Sequence, residues 1–135
     1  MSQIREAVFL ILFRTDFYES GELADQVKDF FDEEDLFKTK EKRQIADKVM
    51  AVAARKDEID AALKEVSVGW KPQRMNLVDL TILRLAYYEI VFDPRVPDSA
   101  AINEAVELAK KYGTESSGSF VNGILAKVAG SAKQE

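Results

Sequence analysis

The sequence predicts an all-α protein, and three observations carry the prediction. Apolar residues recur at helical spacing along nearly the whole chain, and no stretch alternates polar and apolar for long. Only three prolines and six glycines punctuate 135 residues. With 47% apolar and 32% charged residues, the composition is that of a globular domain rather than a disordered one. A domain of this length buries roughly two thirds of its unfolded surface, which supports a core without staples.

The first helix, about residues 3–18, places Ile4, Ala7, Val8, Ile11 and Leu12 on one face and Phe9, Leu10 and Phe13 on another. A helix apolar on two sides is normally covered by two neighbours. Gly21 stops it or opens the next segment. Residues 22–36 combine Leu23, Val27, Phe30 and Phe31 with Asp25, Asp29, Asp32, Glu33, Glu34 and Asp35. Those carboxylates match no calcium-loop spacing and lack its central glycine, so they read as a solvated helix end. Over about 39–67, Ile45, Val49, Val52, Lys56, Ile59, Leu63 and Val66 make a heptad seam broken at Lys56. The segment is one long helix or two with a bend near Lys56, and an intramolecular bundle fits it better than a coiled-coil dimer.

Gly69-Trp70-Lys71-Pro72 is punctuation. Asn76 can cap a helix running to about Phe92, because its side-chain oxygen can accept from an orphan amide of the first turn. Leu80, Leu83, Tyr87, Ile90 and Val91 form its main stripe, widened by Ile82, Leu85 and Ala86 into a helix covered on both sides. Pro94 and Pro97 break the chain. From Asp98 or Ser99 an amphipathic helix turns Ile102, Ala105, Val106, Ala109 and Tyr112 inward. Asn103, Glu104, Glu107, Lys110 and Lys111 face water. Glu107 and Lys111 stand four apart in the favourable order. Lys110 and Lys111 complement the dipole of the last turn, and Gly113 follows its end. Thr114 to Ser119 reads as a polar loop. A last helix carries Phe120, Val121, Ile124, Leu125 and Val128, and Gly130 to Glu135 reads as a frayed tail.

What the chain lacks narrows its chemistry. It has no cysteine and no histidine. Disulfides, thiolate nucleophiles, the common imidazole metal ligand and the serine–histidine triad are therefore excluded, and the composition leans against an enzyme. The longest apolar run, Ala7 to Phe13, is seven residues, against roughly 20 for a bilayer span. No secretory pattern surrounds it, so a cytoplasmic location with no membrane partner is expected. A net charge of −5 means that any nucleic-acid role needs a local patch or a basic partner.

Few constellations rise above this background. Gly113-Thr-Glu-Ser-Ser-Gly118 has the glycine spacing of a phosphate loop but lacks the lysine and the preceding strand. Lys38, Lys40, Lys42 and Arg43 read as a solvated helix start, with phosphate contact the alternative. Phe120 opens a helix after a loop of small residues, where a ring either enters the core or stacks on a base. Gly123, after Asn122, is costly inside a helix. Close approach by another helix or a ligand backbone would explain it.

An ordered series then appears. It comprises Leu-Arg-Leu-Ala-Tyr-Tyr-Glu at 83–89, Pro97, Ala-Ile-Asn-Glu-Ala-Val-Glu-Leu-Ala-Lys at 101–110, Tyr112-Gly113, and Phe-Val-Asn-Gly at 120–123. The blocks and their spacing resemble the C-terminal half of the NusB transcription antitermination factors. Arg5-Glu6 and the apolar helix behind them resemble that family's first helix. The resemblance covers nearly the whole chain, specifically over 77–129 and loosely over 20–70.

The resemblance implies an all-α fold of two small helical bundles packed together, about seven helices in all. It implies a single domain over 1–135, with an N-terminal sub-bundle at about 1–70, a C-terminal one at about 71–130 and a flexible tail at 131–135. It implies an adaptor with no catalytic residue, no cofactor and no metal. The adaptor pairs with NusE, a ribosomal small-subunit protein, binds boxA RNA of nascent transcripts such as ribosomal RNA, and reaches the RNA polymerase elongation complex indirectly. By the same resemblance Arg5, Lys110, Lys111, Ser116 and Phe120 are the RNA-binding candidates, and Asp79 and Leu83 the partner-binding ones. Where many relatives carry an acid, a histidine and a lysine, this chain has Ser116, Gly118 and Ser119, and of the arginine-rich N-terminus only Arg5 remains. Three alternatives stay open: a paralogue or a ribosomal RNA methyltransferase-type domain that has lost most RNA affinity, and a self-associating helical module, for which a homodimer would be the sign.

Overall fold

A computed structural model describes residues 2–17, 23–67 and 75–133. These residues form seven α-helices and no strand: α1 (Gln3–Phe17), α2 (Leu23–Glu33), α3 (Thr39–Ala54), α4 (Lys56–Val66), α5 (Leu77–Phe92), α6 (Asp98–Tyr112) and α7 (Ser117–Lys133). The expected breaks at Gly21 and at Gly69 to Pro72 lie outside the described residues. The helices group into two compact units, Ser2–Ala54 and Arg55–Glu135.

In the first unit α1 packs on α3 and α2. Both of its predicted faces are used: Ala7, Val8, Ile11 and Leu12 are buried, and so is Phe9. From α2 only Val27 and Phe30 are buried, and the acidic residues around them stay at the surface or half-buried. Arg14 pairs with Glu33 at 3.0 Å and lies over the Phe30 ring. Among the described residues no group of three carboxylates is placed to hold a metal ion. The basic run opens α3, where the Lys38 amide donates to Glu41 Oε1 at 2.9 Å, so Glu41 reaches back to satisfy an orphan donor.

The seam of 39–67 is two helices, parted at Arg55 (φ −109°, ψ 13°), one residue before the predicted bend. Its first half, Ile45, Val49 and Val52, is core of the first unit; its second half, Ile59 and Leu63, is core of the second. There Arg84 of α5 grips Asp60 of α4 through two bonds, Nε–Oδ1 at 2.7 Å and Nη2–Oδ2 at 2.8 Å. The Arg84 side chain is 9% exposed and that of Asp60 25%. Planar two-pronged pairing of this kind fixes orientation as well as distance.

Helix α5 contacts α4, α6 and α7, which is why its apolar stripe is so wide. Leu80, Ile82, Leu83, Leu85 and Ala86 are all buried, each large side chain contributing about 1.5–3 kcal/mol. Asn76 caps it as expected, its Oδ1 accepting from the Asp79 amide at 2.8 Å. Val91, assigned to the stripe by spacing, is 39% exposed, and Glu89 is buried instead. On α6 the inner face is Ala101, Ala105, Leu108 and Ala109, while Ile102 and Val106 are half-buried. The face is thus rotated from the predicted one, because three alanines let α5 and α7 come close. α7 begins at Ser117, inside the stretch read as loop, and runs through Lys133.

Candidate functional site

Helices α6 and α7 are joined by a tight, closed turn. α6 ends where the Gly113 amide donates to the Ala109 carbonyl at 2.9 Å. Thr114 then donates its amide to Ser117 Oγ at 2.9 Å, and Ser117 returns its own amide to the Thr114 carbonyl at 3.1 Å. This reciprocal arrangement does the work of a capping box with serine in the acidic position. It starts α7 three residues earlier than the apolar pattern shows. A Cβ on Gly113 would stand 2.5 Å from Ser117 Oγ and 2.7 Å from the Ala109 carbonyl oxygen. Only glycine lets the buried Ser117 side chain lie over the end of α6.

Beyond the turn the two helices line an open groove of about 730 Å³. Asn103, Val106, Glu107 and Lys110 form one face of α6, spaced by three, one and three; Gly118, Ser119 and Asn122 supply the α7 side, with Thr114 and Glu115 from the turn. At Gly118 the helices are in ordinary contact, since a Cβ there would lie 3.7 Å from Lys110 Cγ and 3.8 Å from Val106 Cγ1. Glu107 and Glu115 outnumber the groove's one cation, Lys110. Lys111 is exposed and its Nζ lies 5.4 Å from the centre of the Tyr112 ring.

The other RNA-binding candidates are placed as follows. Ser116 is exposed in the turn, its Oγ 3.4 Å from Thr114 Oγ1. Phe120 is half-buried, and its amide donates to the Ser116 carbonyl at 3.1 Å. Lys110, Lys111, Ser116 and Phe120 therefore belong to one corner of the second unit. Arg5 belongs to the first unit, half-buried on the first turn of α1, where its amide donates to Ser2 Oγ at 3.4 Å.

The partner-binding candidates sit one turn apart on α5. Asp79 is 6% exposed; its Oδ2 accepts from Asn76 Nδ2 at 3.0 Å, and its Oδ1 has no hydrogen-bond partner among the described residues. A buried acceptor left unmade costs about 1–3 kcal/mol, so an orphan of this kind calls for an explanation. Leu83 is fully buried. Any part it has in partner binding is to hold the α5 face, not to touch the partner. Below α5, buried Asp93 accepts from the exposed Arg95 guanidinium at 3.1 Å, a hydrogen bond that raises the arginine's pKa further above its ordinary value.

Sequence reasoning missed Asn103, Glu107 and Asn122 as site residues. Each reads singly as a solvated or an odd position in the sequence, and only the packing of α6 on α7 sets them around one groove.

The NusB family pattern matches residues 2–130. The transcription antitermination protein NusB of Agathobacter rectalis is 50% identical over 128 residues, which cover 95% of this chain and 98% of that protein. The chain belongs to the NusB family. In solved structures, T. maritima NusB superimposes with a TM-score of 0.88 at 34% identity, covering 95% of this chain and 89% of that one. A chain from the crystal structure of antitermination factors NusB and NusE in complex with dsRNA gives a TM-score of 0.86 at 24% identity over 95% and 94%, a likeness of fold. Membership in the NusB family makes this chain a transcription antitermination factor and not an enzyme. Among the described residues no helix is long and apolar enough to cross a membrane.

Proposed function

We propose that the chain is a cytoplasmic adaptor that pairs with the ribosomal protein NusE, binds boxA-type RNA in nascent ribosomal transcripts, and through that complex keeps RNA polymerase elongating. The observation that carries this reading is the α6–α7 corner, where Lys110, Lys111, Ser116 and Phe120 gather on a protein whose net charge is −5. A half-buried ring on the first turn of α7 and two exposed lysines in the last turn of α6 suit a single strand, which is held by base stacking and by its phosphates. Arg5 is the cation contributed by α1.

The same count limits what the chain does alone. Three cations give a salt slope of only about −2, since each phosphate contact on a single strand is worth roughly 0.7. A basic partner supplies the remainder. The start of α5 is the surface we assign to that partner: Asp79 has one carboxylate oxygen there with no partner among the described residues, and the buried Leu83 one turn on holds the helix in place. In the NusB–NusE–dsRNA structure the family fold is seen with both ligands, which supports the reading by likeness of fold.

The test is RNA affinity of the chain with and without the organism's own NusE, at two salt concentrations. The pair should bind a boxA oligomer tightly and with a steep salt slope, and the lone chain weakly with a shallow one. Tight binding by the lone chain would refute the need for a basic partner. Failure to bind NusE would refute the adaptor. Binding of NusE without any RNA would make the chain a paralogue that kept only the protein partner, the reading its depleted cations favour next.

A further inference from the structure

The α6–α7 groove carries chemistry that phosphate binding leaves unused. Its register divides it into two ends. Gly118 lies level with Val106 and Lys110, so the loop end holds Lys110 with the hydroxyls of Thr114 and Ser119. Asn122 is one turn further along α7, and the helices run oppositely through the turn. It therefore lies across from the stretch of α6 between Asn103 and Glu107. The far end thus holds two carboxamides, and the Glu107 carboxylate stands between them and Lys110. All three side chains are exposed, and none makes a hydrogen bond or ion pair among the described residues. A site with this charge repels a phosphate. It suits an uncharged, flat, polar group that offers donors to the carboxylate and both donors and acceptors to the amides.

We propose that this far end reads the edge of an unpaired nucleobase bearing an exocyclic amino group, with Asn103, Glu107 and Asn122 as the reading side chains and Lys110 meeting the adjacent backbone. The proposal rests on the RNA-binding reading above and deepens it from affinity to specificity. Single-stranded bases are recognised on their Watson–Crick edges by side chains of this kind, and a carboxylate is the natural acceptor for an amino group such as cytosine N4. Glu107 decides the preference. As an ionised carboxylate it only accepts, so it favours the N4 amino group of cytosine and opposes the O4 acceptor of uracil. A groove of about 730 Å³ has ample room for a base.

Oligocytidine and oligouridine of equal length carry equal charge and differ at that edge, so they are the probes. The chain paired with NusE should prefer oligocytidine by roughly 5- to 150-fold. Glu107→Gln, which adds a donor at constant shape, should erase most of that preference, and Asn103→Ala with Asn122→Ala should reduce it. Because all three residues are exposed, these variants keep the fold. The salt slope should stay unchanged, since no cation is removed, whereas a change confined to phosphate contact would move it. Equal binding of the two oligomers by the unaltered pair, or a preference that survives Glu107→Gln, would overturn this proposal and leave RNA binding standing. Binding of neither oligomer nor boxA RNA would overturn both.

Discussion

The turn between α6 and α7 and the outer face of α7 are a few residues apart and are specified in opposite ways. In the turn the backbone ends are tied down: Gly113 to the Ala109 carbonyl, Thr114 and Ser117 to one another. On the outer face Gly123 is exposed, and a Cβ added there would meet nothing within 4 Å. Both regions contain a glycine where the family resemblance expects one. The first is demanded by the protein's own packing and the second is not. A residue type shared with relatives therefore reports fold at one position and leaves room for binding at the other, and only the neighbouring atoms tell which.

The largest effect that tests this contrast belongs to Gly113→Ala. The new methyl would fall 2.5–2.7 Å from Ser117 and from the Ala109 carbonyl oxygen. The backbone is extended there (φ −93°, ψ −163°), so the collision and not the dihedral is the obstacle. Overpacking of this order costs about 1–3 kcal/mol. Urea denaturation should show the midpoint falling with m unchanged. An unaltered midpoint would mean that the Thr114–Ser117 cap adjusts freely, and the two regions would no longer differ.

Phe120 sits between the regions and should behave as an intermediate. Full burial of a phenylalanine would make Phe120→Ala cost about 3–5 kcal/mol. The ring is half-buried, so the cost should be roughly 2 kcal/mol. Affinity of the NusE pair for boxA RNA should fall in the same variant by about 1–3 kcal/mol if a base stacks on the exposed half. Measuring both quantities in one variant separates core from contact: a loss of stability alone would assign the ring wholly to the core.

These residues also show where sequence reasoning holds. The central position of α5, its Asn76 cap and the break beside Lys56 follow from local rules: the width of an apolar stripe, a side-chain oxygen before a helix, a charge in a heptad seam. The start of α7 was hidden because Thr114, Ser116, Ser117 and Ser119 are poor helix interiors, and their value lies in a cap that spacing does not reveal. The inner face of α6 was rotated because alanines carry little hydropathy, yet they admit close helix approach. The groove was least legible. Asn103 and Asn122 are nineteen positions apart in sequence, and a polar residue on a helix surface looks alike whether it faces solvent or another helix's amide.

The smallest expected effect has the opposite sign. Glycine inside a helix is about 0.5–1 kcal/mol less favourable than alanine, mostly through the entropy of the unfolded chain. Gly123 lies within α7 with open space where its side chain would be, so Gly123→Ala should stabilise the protein by that amount and raise the urea midpoint. Gly113→Ala should lower it, although the chemical change is identical. The RNA affinity of the stabilised variant sharpens the comparison further. Among the described residues nothing lies within 4 Å of a Cβ at Gly123, which removes close helix approach and leaves a ligand backbone as the explanation to test. A variant that is more stable yet binds RNA less well would locate that ligand against the outer face of α7, beside Asn122. One that is more stable and binds equally well would show that the glycine answers to neither packing nor ligand.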